Sequence, residues 1–400
     1  MKVLVIQDSL SPIGGSEIVA MQGLEAVAQA GWASVAVCRE RARSPLLGMS
    51  VHEVPELFRL HPSPDLGPLG RIMDEERPDL VHIHKVGSAD VIRFVARRTP
   101  TIVTVHDHAA YCPGGSKVFW RTGTLCTRPL GFPCLLHAYA DRCATRHPVR
   151  LWRHFAFSTN AMSALQQVGR VLTLTAYVRE QLVRSGLDGE GVSVLAPWVD
   201  IPSAHPMAGQ ADLVLFVGRI VREKGLPVLL TALKLVKTAF RVVVAGDGPL
   251  RGRCEELVSK LGLQQAVEFR GWLDTAHIKR EYAESAFVVV PSIWPEPFGM
   301  VGVEAMAHGR PVVAFDVGGV RDWLEDGVNG LLVRKGDTVG LAGAIEQLLR
   351  DRALRARLGS AARDRVTQRY GRKQNAGRLL ASYRELVNWT MTRSSSGRRE

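Results

Sequence analysis

Short apolar runs alternate with amphipathic segments along almost the whole chain. The runs are four to six residues long and rich in β-branched residues, which is typical of strands buried on both faces of a parallel sheet. The segments between them are typical of the helices that connect such strands. The first half contains predicted strands at residues 2–7, 34–38, 80–84, 101–105, 171–175 and 192–195. The second half contains predicted strands at residues 213–217, 241–245, 266–269, 287–291, 311–315 and 330–333.

A polar stretch with Pro and Gly, residues 197–209, interrupts this pattern near its middle. Since single cores stop growing at roughly 250–300 residues, a chain of 400 residues is expected to form two domains. We predict two doubly wound, Rossmann-like domains that face each other across a cleft, with ligands beyond the carboxyl ends of the strands. Helices are predicted at residues 341–349, 353–370 and 374–387. The Ser-, Gly- and Arg-rich residues 391–400 are expected to be a disordered basic tail.

The net charge of +12, from 51 Lys and Arg against 39 Asp and Glu, is concentrated in two segments. Residues 91–170 carry 11 basic and 2 acidic side chains, and residues 351–400 carry 13 and 4. The rest of the chain is slightly acidic, and no nucleic-acid-binding module is present, so we expect no nucleic-acid partner. If the two basic segments share a face, they form a surface suited to anionic lipid or to a lipid diphosphate.

The first seven residues form an apolar run that meets Asp8 directly, without the cleavage site of a secretory signal. No run approaches the ~20 apolar residues of a membrane-spanning helix. We therefore expect a cytoplasmic protein, and a peripheral position on the cytoplasmic face of a membrane stays open.

Four of the six cysteines fall within 32 residues, and their spacings contain no C-x2-C pair. They are Cys112, Cys126, Cys134 and Cys143. Free thiols in an irregular loop are one interpretation, and a metal site or redox linkage is the other. The sequence leaves both open.

Two loops carry groups that suit a phosphate. Gly14 and Gly15 follow the first predicted strand and begin a helix, where backbone N–H groups can approach an anion closely. Arg219 and Lys224 stand five residues apart after the strand at 213–217. An arginine fork and a lysine point charge together suit a diphosphate, although both could also be solvated loop charges.

Two glutamates stand eight residues apart after the strand at 287–291. Glu296 lies in a loop bracketed by prolines, and Glu304 lies one to two turns inside a helix that starts near Gly299. Carboxylates accept hydrogen bonds from vicinal hydroxyls, so a sugar and a ribose are natural ligands. The alternative is that both acids only complement the positive end of the helix dipole.

Several segments together resemble the retaining glycosyltransferases of family 4, also called glycosyl transferases group 1. In the second half the resemblance rests on VGRIVREKG, AGDGPLR, PSIWPEPFGMVGVEAMAHGRPVVAFDVGGV and LEDGVNGLLV. In the first half it rests on the Gly14–Gly15 loop, the strand near residues 79–84 and the TVHD run at residues 104–107. The resemblance covers roughly residues 1–390. It implies the GT-B architecture, with residues 1–200 as the acceptor-side domain, 201–371 as the nucleotide-sugar domain, and a helix at 372–390 that crosses back to the first domain.

The resemblance also implies roles for single residues. Arg219 and Lys224 would hold the donor diphosphate and stabilise it as it leaves. Glu304 would hold the ribose hydroxyls, and Glu296 would contact the donor sugar. The backbone that cradles sugar and phosphate would be that of Phe298, Gly299, Met300 and Val301. From the first domain, Gly14 and Gly15 would close on the donor, and His106 would bond a sugar hydroxyl.

Three histidines lie in, or directly after, two predicted strands of the first domain. His82 and His84 share a face of one strand, and we interpret them as neutral, hydrogen-bonded residues of the sheet. His106 ends the next strand and is followed by Asp107, which could orient its ring. Among the three, His106 is the predicted catalytic residue.

The resemblance predicts a retaining, hexosyltransferase-type enzyme. It would move a sugar from a UDP- or GDP-sugar to a glycan or lipid-linked acceptor in cell-surface polysaccharide or glycolipid synthesis. We expect no cofactor and no metal ion. The alternatives are another GT-B enzyme, such as a nucleotide-sugar epimerase, and a non-catalytic protein that binds sugar nucleotides.

Overall fold

The computed structural model of the protein describes residues 1–11, 14–40, 49–59, 63–203 and 209–396. The chain forms two compact units. The N-terminal unit contains Met1–Trp198 together with Lys373–Glu400, and the C-terminal unit contains Val199–Arg372. The sequence pattern places these boundaries after residues 200 and 371. Residues 204–208 of the predicted linker lie outside the described residues.

The N-terminal unit is built on a parallel sheet. Its strands, with a short hairpin, are β1 (Lys2–Ile6), β2 (Ala33–Cys38), β3 (Ser50–Glu53), β4 (Leu80–Ile83), β5 (Thr101–Val105), β6 (Val118–Phe119), β7 (Thr124–Leu125), β8 (Arg170–Thr173) and β9 (Val192–Val194). Seven of them form one sheet in the order β3-β2-β1-β4-β5-β8-β9, and β6 pairs with β7 in antiparallel fashion. The first helices are α1 (Gly15–Gln29), α2 (Gly67–Glu76), α3 (Ala89–Ala96), α4 (Pro133–Ala140), α5 (Pro148–Leu165) and α6 (Ala176–Arg184), with a 3-10 turn at Pro55–Phe58.

The C-terminal unit repeats this plan with six parallel strands. They are β10 (Leu213–Val217), β11 (Arg241–Ala245), β12 (Val267–Gly271), β13 (Phe287–Val290), β14 (Val312–Phe315) and β15 (Gly330–Val333). Their order is β12-β11-β10-β13-β14-β15. The helices are α7 (Leu226–Leu233), α8 (Arg251–Leu261), α9 (Thr275–Glu284), α10 (Met300–Ala307), α11 (Val320–Trp323), α12 (Thr338–Arg350) and α13 (Arg352–Arg369), with a 3-10 turn at Arg222–Lys224. All twelve predicted strands are present, and the predicted α/β architecture is confirmed.

The last helix, α14 (Arg372–Ser396), belongs to the N-terminal unit. Leu379, Tyr383 and Leu386 are buried in the same core as Val3 and Val5 of β1. This is the predicted crossover helix. The prediction of a disordered tail from residue 391 is wrong as far as Ser396, and residues 397–400 lie outside the described residues.

The extension of α14 has a local cause. Residues 378–396 contain neither Gly nor Pro, and hydroxyl side chains of the last turns bond within the helix. Thr390 Oγ1 donates to the carbonyl of Leu386, and Thr392 Oγ1 donates to that of Asn388, both at 2.9 Å. These bonds satisfy polar groups that would otherwise compete with the helical backbone. Among the described residues, no helix is both long and apolar enough to cross a membrane.

Candidate active site

The loops after β10, β13 and β14 lie at one edge of the C-terminal sheet. These strands are direct neighbours and parallel, so their carboxyl ends point the same way. The loop after β10 carries Arg219 and Lys224, and the loop after β13 carries Glu296. Helix α10, which carries Glu304, follows directly. This edge holds the predicted residues Arg219, Lys224, Glu296, Phe298, Gly299, Met300, Val301 and Glu304.

Gly225, in the loop after β10, lies where this loop contacts the loop after β13. Its φ of 71° is left-handed, and a Cβ on it would lie 1.8 Å from the carbonyl oxygen of Pro291. Any side chain here would push the loops apart, so the position requires glycine. The N–H of Ile293 also donates to the carbonyl of Glu223 at 2.9 Å. The loop with Lys224 is therefore fixed on the loop with Glu296.

Lys224 and Glu296 form an ion pair, with Nζ 2.6 Å from Oε1. Ser292 Oγ donates to the same oxygen at 2.5 Å, and the ammonium lies 5.8 Å from the ring centre of Trp294. The carboxylate is buried, whereas the lysine is about a quarter exposed. Burial alone would raise the pKa of Glu296, but the charge of Lys224 and hydrogen bonds from Lys224, Ser292 and Trp294 outweigh it, and the pKa is lowered. Glu296 is therefore ionised at neutral pH, and it holds Lys224 in place.

The backbone of Glu296 is positioned by the loop after β14. The N–H of Gly319 donates to the carbonyl of Glu296 at 2.7 Å. Gly318 has a φ of 55°, and a Cβ on it would lie 2.5 Å from the same carbonyl oxygen. Two adjacent glycines thus allow the loop to touch the backbone of the glutamate.

The N-terminus of α10 is held by Trp323. Gly299 caps the helix in a left-handed conformation with a φ of 91°. The buried indole Nε1 of Trp323 donates to the carbonyl of Phe298 at 2.6 Å. The first N–H groups of a helix have no partner within it, so those of Met300 and Val301 are available to an anion or to hydroxyls.

Glu304 lies one turn further along α10. Tyr282 donates its hydroxyl proton to Oε2 at 2.8 Å. Burial raises the pKa of Glu304, although the hydrogen bond from Tyr282 and the charge of Lys279 act against it. Its other oxygen, Oε1, makes no hydrogen bond with a described residue, so it can accept one from a ligand hydroxyl.

Arg219 is exposed at the same edge. Its guanidinium makes no hydrogen bond or ion pair with any residue that the structure describes. The site therefore pairs one held cation, Lys224, with one cation whose five N–H donors are all available.

In the N-terminal unit, His82 is fully hydrogen-bonded, as predicted. Its Nδ1 lies 2.6 Å from the hydroxyl of Tyr383, and its Nε2 lies 2.7 Å from Oγ1 of Thr104. Burial, helped by the nearby His106, lowers the pKa of His82 to about 3. The ring is therefore neutral at physiological pH and connects the sheet to α14.

His84 and His106 pair with each other, with His84 Nδ1 2.9 Å from His106 Nε2. Burial lowers the pKa of His106 to about 4, because it outweighs the opposing charge of Asp107. The carboxylate of Asp107 instead accepts the N–H of Ala109 at 2.8 Å. The orienting partner of His106 is therefore His84 and not Asp107, contrary to the expectation from the sequence.

Four buried side-chain atoms at this edge, from three residues, lack partners among the described residues. They are both amide atoms of Gln7, Nε2 of His84 and Nδ1 of His106. Gln7, His84 and His106 follow the neighbouring strands β1, β4 and β5. An unpaired buried polar group costs about 1–3 kcal/mol, so such a cluster is typical of a place that a ligand or water completes. Gln7 was missed in the sequence because it simply ends an apolar strand.

Comparison with known proteins identifies the family. The family model described as "Glycosyl transferases group 1" matches residues 200–365, and that described as "Glycosyltransferase Family 4" matches residues 13–202. The α-D-kanosaminyltransferase of Streptomyces kanamyceticus is 31% identical over 298 residues, which cover 69% of this chain and 76% of that protein. The chain belongs to the family 4 glycosyltransferases.

Solved structures agree with the fold of this glycosyltransferase. A sucrose-phosphate synthase from Thermosynechococcus elongatus has a TM-score of 0.76, with 97% of this chain and 99% of that chain covered, at 23% identity. Anabaena Alr3699/HepE in complex with UDP has a TM-score of 0.71, with 96% and 100% covered, at 21% identity. These likenesses confirm the predicted GT-B fold.

Gly14 and Gly15 begin α1 of the glycosyltransferase. Gly14 caps the helix in an extended conformation, and a Cβ on it would lie 2.4 Å from a carboxylate oxygen of Glu17. Gly15 is exposed and has no atom near its ideal Cβ position. Residues 12 and 13, directly before them, lie outside the described residues. Both glycines belong to the N-terminal unit, as does His106.

The cysteine cluster of the glycosyltransferase lines a single pocket. Cys112, Cys126, Cys134 and Cys143 are all free thiols and face it together with Tyr111. Burial, reinforced by the three other cysteines, raises the pKa of Cys143 to about 12. Within the described residues, no group of three or more His, Cys, Asp or Glu side chains is arranged to hold a metal ion. In this structure the four cysteines form no disulfide and are partly exposed.

Proposed function

We propose that this glycosyltransferase moves a hexosyl group from a UDP- or GDP-sugar to a glycan or lipid-linked acceptor, with retention of the anomeric configuration. The acceptor class that we propose belongs to cell-surface polysaccharide or glycolipid synthesis, at the cytoplasmic face of a membrane. One observation carries the donor assignment. The Lys224–Glu296 pair, with its buried carboxylate, lies at the same sheet edge as the N-terminus of α10 and as Arg219, which has no partner among the described residues.

This arrangement suits a diphosphate that leaves with its charge. An ammonium has three hydrogens, so Lys224 can keep its bond to Glu296 and still donate to a phosphate oxygen. Arg219 adds a bidentate fork that no described residue occupies. Because these donors are in place before the reaction, they stabilise the negative charge that grows on the departing diphosphate.

In the proposed step the bond between the anomeric carbon and the phosphate oxygen breaks. The acceptor hydroxyl oxygen forms the new bond on the same face of the sugar, and its proton passes to the leaving phosphate. No protein nucleophile is needed for this exchange. Glu296 would accept hydrogen bonds from the donor sugar, and Glu304 would accept them from the ribose through its free oxygen.

The remaining roles are those that the family resemblance implies. The backbone of α10 and its cap, at Phe298, Gly299, Met300 and Val301, would bind the sugar and phosphate. Gly14 and Gly15 would offer backbone N–H groups to the donor. His106, neutral at pH 7, would offer a ring nitrogen to a sugar hydroxyl.

A panel of UDP-, GDP- and ADP-sugars tests the donor, read by thermal unfolding of the wild-type protein and of Arg219→Ala. A ligand that binds only the folded state raises its stability by about 2.7 kcal/mol at a hundred times its dissociation constant. We expect a UDP- or GDP-sugar to raise the melting temperature of the wild type much more than that of the variant. UDP-glucose is the first donor to test, since the Anabaena neighbour contains UDP.

Proton NMR of the glycoside product tests retention. The coupling constant of the anomeric proton should show that the product has the same anomeric configuration as the donor. An inverted product would disprove the retaining mechanism. Release of an altered free sugar without any acceptor would point to an epimerase instead.

A further inference from the structure

Five large apolar side chains lie exposed on α4, on its N-cap residue and on the first turns of α5. Their exposed fractions are Phe132 73%, Leu136 74%, Tyr139 48%, Val149 54% and Trp152 57%. We call this set the α4–α5 face. Residues 132, 136 and 139 are spaced by four and three, so they share one side of α4, and residues 149 and 152 share one side of α5. Leaving so much aromatic and aliphatic surface in water is unfavourable, which marks an interaction site.

The two halves of the α4–α5 face are continuous. The ring of the buried Phe155 lies 5.7 Å from that of Phe132 and 6.0 Å from that of Trp152, measured between centroids. Phe155 thus connects the two helices from beneath. The exposed side chains therefore form a single patch.

Arginines surround this patch. Residues 121–153 contain six arginines and one acidic residue, Asp141. The acidic residue is bound to His137 at 2.6 Å. Four of the arginines are exposed and make no side-chain hydrogen bond or ion pair within the described parts of the chain, namely Arg142, Arg146, Arg150 and Arg153. The apolar patch therefore has an unneutralised positive border.

We propose that the α4–α5 face inserts into the interface of a bilayer that contains anionic lipid. The apolar side chains would enter the boundary between headgroups and acyl chains, where aromatic residues are favoured. The arginines would bind the lipid phosphates. A second copy of the chain fits poorly, because an isologous contact through this face would bring the two sets of arginines together.

The face refines the proposed use of a lipid-linked acceptor, and it can be tested without any turnover. Sedimentation with vesicles of phosphatidylcholine alone, and with about 30% phosphatidylglycerol, measures the partition coefficient of the full-length protein. We expect strong binding only to the anionic vesicles, and weaker binding as salt rises from about 50 to about 300 mM.

Two double variants separate the two contributions. Leu136→Ser with Trp152→Ser removes exposed apolar area that the bilayer would bury, and it should weaken binding at least tenfold at both salt concentrations. Arg146→Gln with Arg150→Gln should weaken binding by about fivefold per arginine at low salt, and less at high salt.

Matched changes on the C-terminal unit serve as controls. Leu235→Ser with Val339→Ser replaces exposed apolar residues, and Arg253→Gln with Arg352→Gln replaces exposed arginines. Both controls should bind vesicles as the wild type does. Thermal unfolding of each variant checks that the fold is intact.

Three results would overturn the proposal. They are no binding of the wild type to anionic vesicles, equal binding of the α4–α5 variants and the wild type, and a salt-insensitive dimer in analytical ultracentrifugation that the Trp152→Ser change abolishes. If vesicle binding fails while a nucleotide sugar still stabilises the protein, the membrane surface is wrong and the donor assignment stands. If the protein binds anionic vesicles but no nucleotide sugar stabilises it, the membrane surface stands and the donor assignment is wrong.

Discussion

The Lys224 ammonium is bound to a carboxylate that is almost completely shielded from water. Glu296 has 4% of its side chain exposed, against 26% for Lys224. Loss of one partner from such a pair leaves the other charge buried without compensation, which destabilises more than the pair itself stabilises. The pair is therefore important for the fold of the loop as well as for any ligand.

Lys224→Ala should lower the free energy of unfolding by about 3 kcal/mol, because it leaves the Glu296 carboxylate unpaired. The double variant Lys224→Ala with Glu296→Gln should recover most of that loss, yet it should stay inactive, since the cation for the diphosphate is gone. Urea unfolding and sugar-transfer assays of both variants measure this. A double variant that regains turnover would show that Lys224 matters only for stability.

We predict that Glu304→Gln stabilises the protein at neutral pH, whereas Lys224→Ala destabilises it. The pKa of Glu304 is raised in the folded state, so the folded protein binds the proton more tightly than the unfolded chain does. The free energy of unfolding therefore falls as pH rises from about 4.5 through the folded pKa. Glu304→Gln lacks this loss and keeps an acceptor for Tyr282, so it should melt higher than the wild type at pH 7 but not at pH 4.

Donor binding by Glu304→Gln gives the second readout. If Oε1 holds the ribose, nucleotide-sugar affinity should fall even though the variant is more stable. Unchanged affinity would favour the alternative that Glu304 only complements the helix dipole.

At the scale of elements, α10 has its orientation set by one tryptophan. Trp323 is fully buried, and its indole N–H donates to the carbonyl of Phe298. The indole also fills the space beside Gly299, which caps α10, and Gly302, which lies within it. A Cβ on Gly302 would lie 2.2 Å from the indole. The glycines of this segment therefore permit a contact that brings the free N–H groups of the helix to the sheet edge.

Gly302→Ala should destabilise the protein and weaken nucleotide-sugar binding, because either the indole or α10 must move. Gly343→Ala is the matched control: Gly343 lies inside α12 with nothing within 4 Å of its ideal Cβ position. That change should stabilise by about 0.5–1 kcal/mol. Thermal unfolding with and without a nucleotide sugar distinguishes the two, and equal effects of both changes would contradict the tryptophan contact.

The elements that the sequence predicts well are those buried on both faces. Strands such as β13 and β14 consist entirely of buried residues and appear as uninterrupted apolar runs. The missed strands have another character: β3 is a half-exposed edge strand, and β6 and β7 have two residues each. Their existence depends on neighbours that periodicity along the chain does not reveal.

At the scale of the whole molecule, the N-terminal unit is assembled from both ends of the chain. Tyr383 of α14 is completely buried and bonds His82 of β4. Leu386 packs so closely that a Cβ on Gly169 would lie 2.5 Å from it. The last helix is therefore part of this core and not an appendage.

Leu386→Ala should destabilise the N-terminal unit by about 2–5 kcal/mol, as expected for a large-to-small change in a core. Hydrogen exchange followed by mass spectrometry should show faster exchange in β1 and β5. Exchange in β10 and β13 should stay as in the wild type, since Leu386 is buried in the core of the N-terminal unit. Uniformly faster exchange in both units would contradict this division.

Sequence motifs predicted the residues of the site, whereas only the structure shows which of their side chains contact each other. Lys224 and Glu296 are 72 residues apart, and their contact depends on Gly225 and on loop packing that no local pattern encodes. The partner of His106 is likewise a residue of another strand. Residue types and strand ends are readable in a sequence, but side-chain partners across loops are set by tertiary packing.

The charge surplus of residues 351–400 is divided between the two units. Residues 352–369 form α13 in the C-terminal unit, where Arg355 bonds the carbonyls of Leu348 and Leu349 and Arg365 bonds Glu325. Much of that charge serves helix ends and local ion pairs. Within residues 91–170, four exposed arginines that have no partner among the described residues border the α4–α5 face.

The position of α14 also bears on how the protein is made. A ribosome releases the chain from its N-terminus, so domains normally complete in that order. Here the C-terminal unit is one continuous stretch that is complete once residue 372 has emerged, whereas the first-made unit still lacks its last core helix. The first half of the protein therefore completes its core only after α14 has emerged, and until then the apolar residues that Leu379, Tyr383 and Leu386 cover stay exposed to water.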